Sequence, residues 1–63
     1  MMLRSETYRG YRIAFKKVGV TVWAKVRRPS GKAIAVTSGD TKGNAMRRAQ
    51  MLVEKDMADG VNI

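Results

Sequence analysis

Cysteine and histidine are absent from the 63 residues, and only five are Asp or Glu. Without cysteine there is no disulfide and no thiolate metal site. Without histidine the commonest metal ligand and the usual general base at neutral pH are both missing. Ser5, Ser30 and Ser38 therefore have no such base to activate them, and all three fall in turn or arm contexts. Glu54 and Asp56 lie on different faces of the expected helix, so no acid–base pair is assembled there, and no carboxylate cluster suits metal-dependent hydrolysis. These absences argue against an enzyme and against a bound cofactor or metal. No apolar run approaches the ~20 residues that a bilayer span requires. The opening Met1-Met2-Leu3-Arg4 is too short to be a signal-peptide core. The expectation is a cytoplasmic protein with no membrane partner.

Positive charge is what the chain does have. The formal net charge is +8, with an isoelectric point near 10.7. Residues 1–43 hold ten Lys and Arg against Glu6 and Asp40, whereas residues 44–63 balance Arg47, Arg48 and Lys55 against Glu54, Asp56 and Asp59. The excess thus belongs entirely to the first two-thirds. It is densest between Arg9 and Lys32, a stretch without one acidic residue. Such asymmetry points to a polyanion-binding surface.

The same stretch alternates like β-structure. Tyr11, Ile13 and Phe15 alternate with Arg12, Ala14 and Lys16, giving a first strand within Tyr8–Lys17. Gly19 interrupts the pattern at a position suited to positive φ in a hairpin. Val20 to Arg28 is the clearest strand, rich in β-branched residues. Arg28-Pro29-Ser30-Gly31-Lys32 is a turn: proline pre-sets its first central position and glycine accepts positive φ. Ala33–Thr37 is a short third strand. Asp40 or Thr41 then caps a helix from about Lys42 to Ala58, with Gly60 as its expected C-terminal cap. At 100° per residue Ala45, Met46, Ala49, Leu52, Val53 and Met57 share one apolar arc. Asp56 intrudes on that arc and is expected to overhang the edge of the sheet.

The resulting fold class is α+β: a three-stranded antiparallel meander packed on one C-terminal helix, in the order β-β-β-α. Residues 1–7 form a flexible arm and residues 8–60 the single domain. At this size the core supplies no more than ~3–5 kcal/mol of net stability.

Side-chain parity sets the free face. With Val20, Val22, Ala24 and Val26 toward the helix, Thr21, Trp23, Lys25 and Arg27 point outward. A one-residue slip would bury Lys25 and Arg27, costing several kcal/mol, to gain roughly 2–3 kcal/mol from Trp23. The expected outer face carries Arg12, Ala14 and Lys16, then Trp23, Lys25 and Arg27, then Ala33, Ala35 and Thr37. A ribbon of this kind can enter the major groove of duplex DNA. Arg12, Lys25 and Arg27 would approach base edges and Trp23 would make an apolar contact. Arg9, Lys16, Lys17, Arg28 and Lys32 would hold phosphates. Six neutralised phosphates imply a slope of log K against log salt of roughly −5. The face also suits RNA, with bases stacked on Trp23, or a homodimer patch rimmed by cations.

From Tyr8 onward the chain resembles the DNA-binding domain of plant ethylene-response factors, the Apetala-two type, and its integrase arm-binding relatives. The matching residues are Tyr8-Arg9-Gly10 with Arg12, Ala24-Lys25-Val26-Arg27, Arg28-Pro29 with Gly31-Lys32, Asp40-Thr41, and Ala45 with Ala49. That family lays a three-stranded sheet in the major groove, and the resemblance puts Arg9, Arg12, Arg27 and Lys32 among its DNA contacts. Lys25 stands where the family has a contacting glutamate, and its Pro-Trp-Gly is missing here. Residues 22–45, above all Ser30-Gly31-Lys32-Ala33-Ile34-Ala35, are also similar to small bacterial proteins of the YegP type, which implies an interaction module. The sequence-level expectation is a non-catalytic DNA-binding protein, of the accessory kind carried by phages and mobile elements. The alternative is a small protein-interaction module, either a homodimer or an inhibitor docking on a nucleoprotein complex.

Overall fold

The computed structural model describes residues 2–60. Four strands precede one helix: β1 (Met2–Tyr8), β2 (Tyr11–Val18), β3 (Thr21–Arg27), β4 (Ala33–Gly39) and α1 (Lys42–Gly60). The sheet is antiparallel in the order β1-β2-β3-β4, with α1 packed across one face. The α+β class and the C-terminal helix match the sequence-based expectation. The strand number does not, because residues 2–7 are strand and not a flexible arm; Met1 lies outside the described residues.

β1 escapes a search for alternation for a physical reason. Leu3 pairs with Phe15 and Glu6 with Ile13, so Arg4 and Ser5 together oppose Ala14 in a β-bulge. The extra residue switches parity and puts Leu3, Glu6 and Tyr8 on the helix side, leaving no period of two to detect.

The connections follow turn chemistry. Arg9 at φ 52° and Gly10 at φ 85° are the two central residues joining β1 to β2, the signature of a type I′ hairpin. Gly19 at φ 61° opens the β2–β3 turn as expected. In the β3–β4 turn the Gly31 amide donates to the Arg28 carbonyl at 2.7 Å, and the Arg28 amide donates to the Lys32 carbonyl at 2.8 Å. Pro29 occupies the first central position, and Gly31 takes the positive φ that closes a three-residue loop.

The core is Tyr11, Ile13 and Phe15 from β2, Val22, Ala24 and Val26 from β3, and Ala45, Ala49 and Val53 from α1. Leu3, Tyr8, Ile34, Met46, Leu52 and Met57 close its margins. The helical arc read from the sequence is therefore the buried one. Val20 is a correction: it sits in the hairpin turn and is exposed. β4 supplies another, because between Arg27–Ala33 and Val26–Ala35 the register shifts by one residue. Ala35 and Thr37 therefore pair with Val26 and Ala24 on the helix side, while Val36 and Ser38 pair with Lys25 and Trp23 on the outer side. The expected outward row of Ala33, Ala35 and Thr37 is lost except for Ala33.

Thr41 caps the helix. Its hydroxyl accepts from the Asn44 amide at 3.1 Å, and its carbonyl accepts from Ala45 at 3.0 Å. The helix continues through Gly60, and residues 61–63, which a cap there would involve, lie outside the described residues. At the other end β4 runs into α1 so closely that only glycine fits at position 39. A Cβ there would lie 2.7 Å from the Ala45 nitrogen and 3.0 Å from the Asn44 carbonyl carbon, both backbone atoms. Gly39→Ala is expected to lower stability by about 1–3 kcal/mol, depressing the thermal midpoint by roughly 5–20 °C. Gly43→Ala, in the open first turn, is the control and should raise stability by about 0.5–1 kcal/mol. Thermal melts of the two variants check both signs.

Candidate nucleic-acid interface

The alternation of β2 and β3 sends two kinds of cation to two sides. Cross-strand pairing sets Arg12 opposite Arg27, Ala14 opposite Lys25 and Lys16 opposite Trp23. These six residues form the middle of the outer face in an unbroken register. β4 extends the rows with Ala33, Val36 and Ser38, and β1 adds Thr7 beside Arg12. Rows on one face lie ~7 Å apart along the strands. Trp23 is 44% exposed, as parity required, and Ala14, Lys16, Trp23, Lys25 and Val36 outline a shallow hollow of about 250 Å³.

No carboxylate shares this face among the described residues. All the acids belong to β1's helix side, the turn before α1, or α1 itself. Arg12 directly opposite Arg27 is an unfavourable pairing, since like charges facing each other across a ladder repel. Arg27 Nη1 donates to the Gly31 carbonyl at 3.0 Å, which fixes that guanidinium beside the β3–β4 turn. A polar notch of about 360 Å³ opens there, lined by Thr7, Arg12, Arg27 and Ser30 among others.

Three of the nine residues expected on the interface are elsewhere. Lys17 and Arg28 carry the parity of the buried residues, and Arg9, in the turn between Tyr8 and Tyr11, reaches α1; all three belong to the helix side. Arg9 Nε lies 3.2 Å from Glu54 Oε1, and its guanidinium sits 5.8 Å from the Tyr8 ring centre. Lys17 pairs in register with Val22, whose side chain is core. Arg28 grips Asp56 with two hydrogen bonds, Nη2 to Oδ1 at 2.8 Å and Nε to Oδ2 at 3.2 Å. The parity rule that placed Trp23 correctly also reaches Lys17 and Arg28, whereas Arg9 sits in a turn where alternation stops. Of the remainder, Arg12, Lys16, Trp23, Lys25 and Arg27 lie on the outer face, and Lys32 is exposed in the β3–β4 turn.

Asp56 does not overhang the sheet. Its carboxylate accepts from the Tyr11 hydroxyl as well as from Arg28, which ties the last turns of α1 to β2 and to the β3–β4 turn. Tyr8 likewise donates to Glu54 at 3.2 Å, and Lys42 Nζ lies 3.0 Å from Glu6 Oε2 and 5.1 Å above the Phe15 ring. The apolar arc tolerates an aspartate because two donors meet it at the margin of the core.

Arg28 first, and Tyr11 second, hold the Asp56 carboxyl below its ordinary value of 3.8. The hydrogen bond to Asp56, then burial, pushes the Tyr11 phenol above its ordinary 10.0. A lowered carboxylate contributes stability that is fully present above pH 3.8 and is lost as pH falls through the folded-state value. A raised phenol contributes stability below pH 10.0 that is lost as pH rises beyond it. Asp56→Asn should therefore lower the melting temperature at neutral pH and flatten its decline below pH 3.8, whereas Tyr11→Phe should flatten the decline above pH 10. Melts from pH 2 to 11 read both.

No protein-family model matches the chain, and comparisons with curated proteins and with solved structures found no match. Among the described residues no helix is long and apolar enough to cross a membrane, and no three His, Cys, Asp or Glu residues gather as a metal site would need.

Proposed function

We propose that this protein binds duplex DNA without catalysis, through the outer face of the sheet. The observation that carries the reading is charge segregation. Glu6, Glu54 and Asp56 neutralise Lys42, Arg9 and Arg28 on the helix side, while Arg12, Lys16, Lys25 and Arg27 share the outer face with no carboxylate. Keeping like charges opposed has a stability cost, and an anion lying across both strands removes it.

All four cations stand on β2 and β3, whose axes are ~4.8 Å apart. The four-stranded sheet spans ~14 Å between its outer strands, more than the ~12 Å width of the major groove. The β2–β3 ribbon therefore addresses the groove, with β1 and β4 toward the phosphate ridges. Arg12, Lys25 and Arg27 approach base edges, Trp23 offers an apolar surface to a sugar or thymine methyl, and Lys16 and Lys32 hold phosphates. The resemblance to the Apetala-two type of domain implies contacts at Arg9, Arg12, Arg27 and Lys32; this reading keeps the last three and drops Arg9, which pairs with Glu54.

Trp23 is the chain's one tryptophan and lies at the centre of this face, so its emission reports on binding. Titration with a mixed-sequence duplex should quench or shift that emission saturably, and Trp23→Ala should weaken binding by about 1–2 kcal/mol, the scale of burying part of an indole against a sugar or methyl group. Unchanged emission with a bound duplex would remove this face from the interaction. Tighter binding of single-stranded RNA in competition would reassign the face to base stacking.

A further inference from the structure

The two edges of the sheet are built differently. β1 carries a bulge and the charged residues Arg4 and Glu6, devices by which sheets discourage further pairing. β4 carries neither charge nor proline in the seven residues Ala33–Gly39, and its register shift lies at the Ala33 end. Among the described residues no strand covers its far side. Beside that edge a groove of about 480 Å³ runs between residues 35–37 of β4 and Arg48, Met51, Leu52 and Lys55 of α1. The helical spacing of these four puts them in one stripe, apolar in the middle and cationic at both ends. Val36 is 58% and Met51 67% exposed, and neither Arg48 nor Lys55 has a carboxylate partner among the described residues.

We propose that β4 accepts an extended acidic segment of another protein as a fifth strand. The main chain of that segment pairs with β4, and its helix-facing side chains meet the stripe on α1. Geometry sets the pattern. Arg48 and Lys55 are ~10.5 Å apart along the helix, and strand residues i and i+4 are ~13 Å apart. Flexible side chains bridge that difference. A segment reading Glu-x-Val-x-Glu thus sets valine on Met51 and Leu52 and one carboxylate against each cation.

A second copy of this chain fits poorly. Antiparallel pairing of two β4 strands would bring Arg48 of each copy toward Lys55 of the other, with Asp59, one turn beyond Lys55, as the one carboxylate on the same stripe among the described residues. Each copy also carries a net charge of +8. The edge adjoins the outer face at Val36, but Arg48 and Lys55 lie on α1, so the inference does not rest on the DNA reading.

The test is a titration of isotope-labelled protein with acetyl-Thr-Glu-Thr-Val-Thr-Glu-Thr-amide, followed by amide shifts. A lysine-for-glutamate peptide and a backbone N-methylated peptide serve as controls. Shifts centred on residues 33–38, with at least tenfold preference over both controls, are the expected result. The double variant Arg48→Glu with Lys55→Glu, both exposed, should reverse the charge preference. Absence of binding at millimolar peptide would overturn the proposal, as would shifts centred on Lys16 and Lys25. Concentration-dependent self-association that perturbs β4 would overturn it in favour of a second copy.

Discussion

Raising the salt from about 50 to 200 mM is expected to weaken duplex binding roughly 500-fold, on a log–log slope near −4.5. The slope counts every cation laid against the duplex, Lys16 and Lys32 at phosphates and Arg12, Lys25 and Arg27 at base edges between the two phosphate rows, each displacing about 0.9 of a counterion. It is shallower than the six phosphates suggested by the sequence would give, since Arg9, Lys17 and Arg28 belong to the other side. Alanine at Arg12, Lys16, Lys25 and Arg27 together should leave a slope near −1 and weaken binding at low salt by a factor on the order of 10³. The same change relieves the opposed Arg12–Arg27 pair, so the fold should hold or gain stability, and lost binding will not reflect unfolding. Arg9→Ala and Arg28→Ala should leave the slope unaltered. A quadruple variant that keeps the wild-type slope would show that the polyanion binds somewhere else.

Phe15→Ala is expected to unfold the protein at 25 °C. Phe15 is the largest fully buried side chain, at the centre of β2 and beneath Lys42. Phe-to-Ala substitution in a core costs about 3–5 kcal/mol, comparable with all that a domain of this size has to lose. Phe15→Leu keeps most of the volume and should remain folded with a lowered melting temperature. Far-UV circular dichroism and amide dispersion separate the two. A folded Phe15→Ala protein would mean that stability comes from more than this core.

What could be read in the chain follows from where the pattern is continuous. β2 and β3 pair without a shift, so Ile13, Phe15, Val22, Ala24 and Val26 alternate cleanly against Arg12, Lys16, Trp23 and Lys25. The helix shows its buried arc because its period is uninterrupted from Ala45 to Met57. β1 and β4 each contain one extra residue, at Arg4-Ser5 and near Ile34, and one residue reverses every side chain beyond it. That cost the sequence reading a whole strand and the facing of Ala35 and Thr37. The candidate site lies mostly on the uninterrupted strands, so most of it was legible. What remained hidden was the pairing of Arg9 and Arg28, which depends on Glu54 and Asp56 meeting them from 45 and 28 residues away along the chain.

The segregation of ion pairs to the helix side has a consequence for encounter. Of a net +8, most sits off centre, on one broad flank of a body 14 Å thick along its shortest axis. In the field of a polyanion such a body experiences torque before it is touched, and it turns that flank forward during diffusion. Association should therefore be fast and strongly slowed by salt, with the rate of departure much less affected.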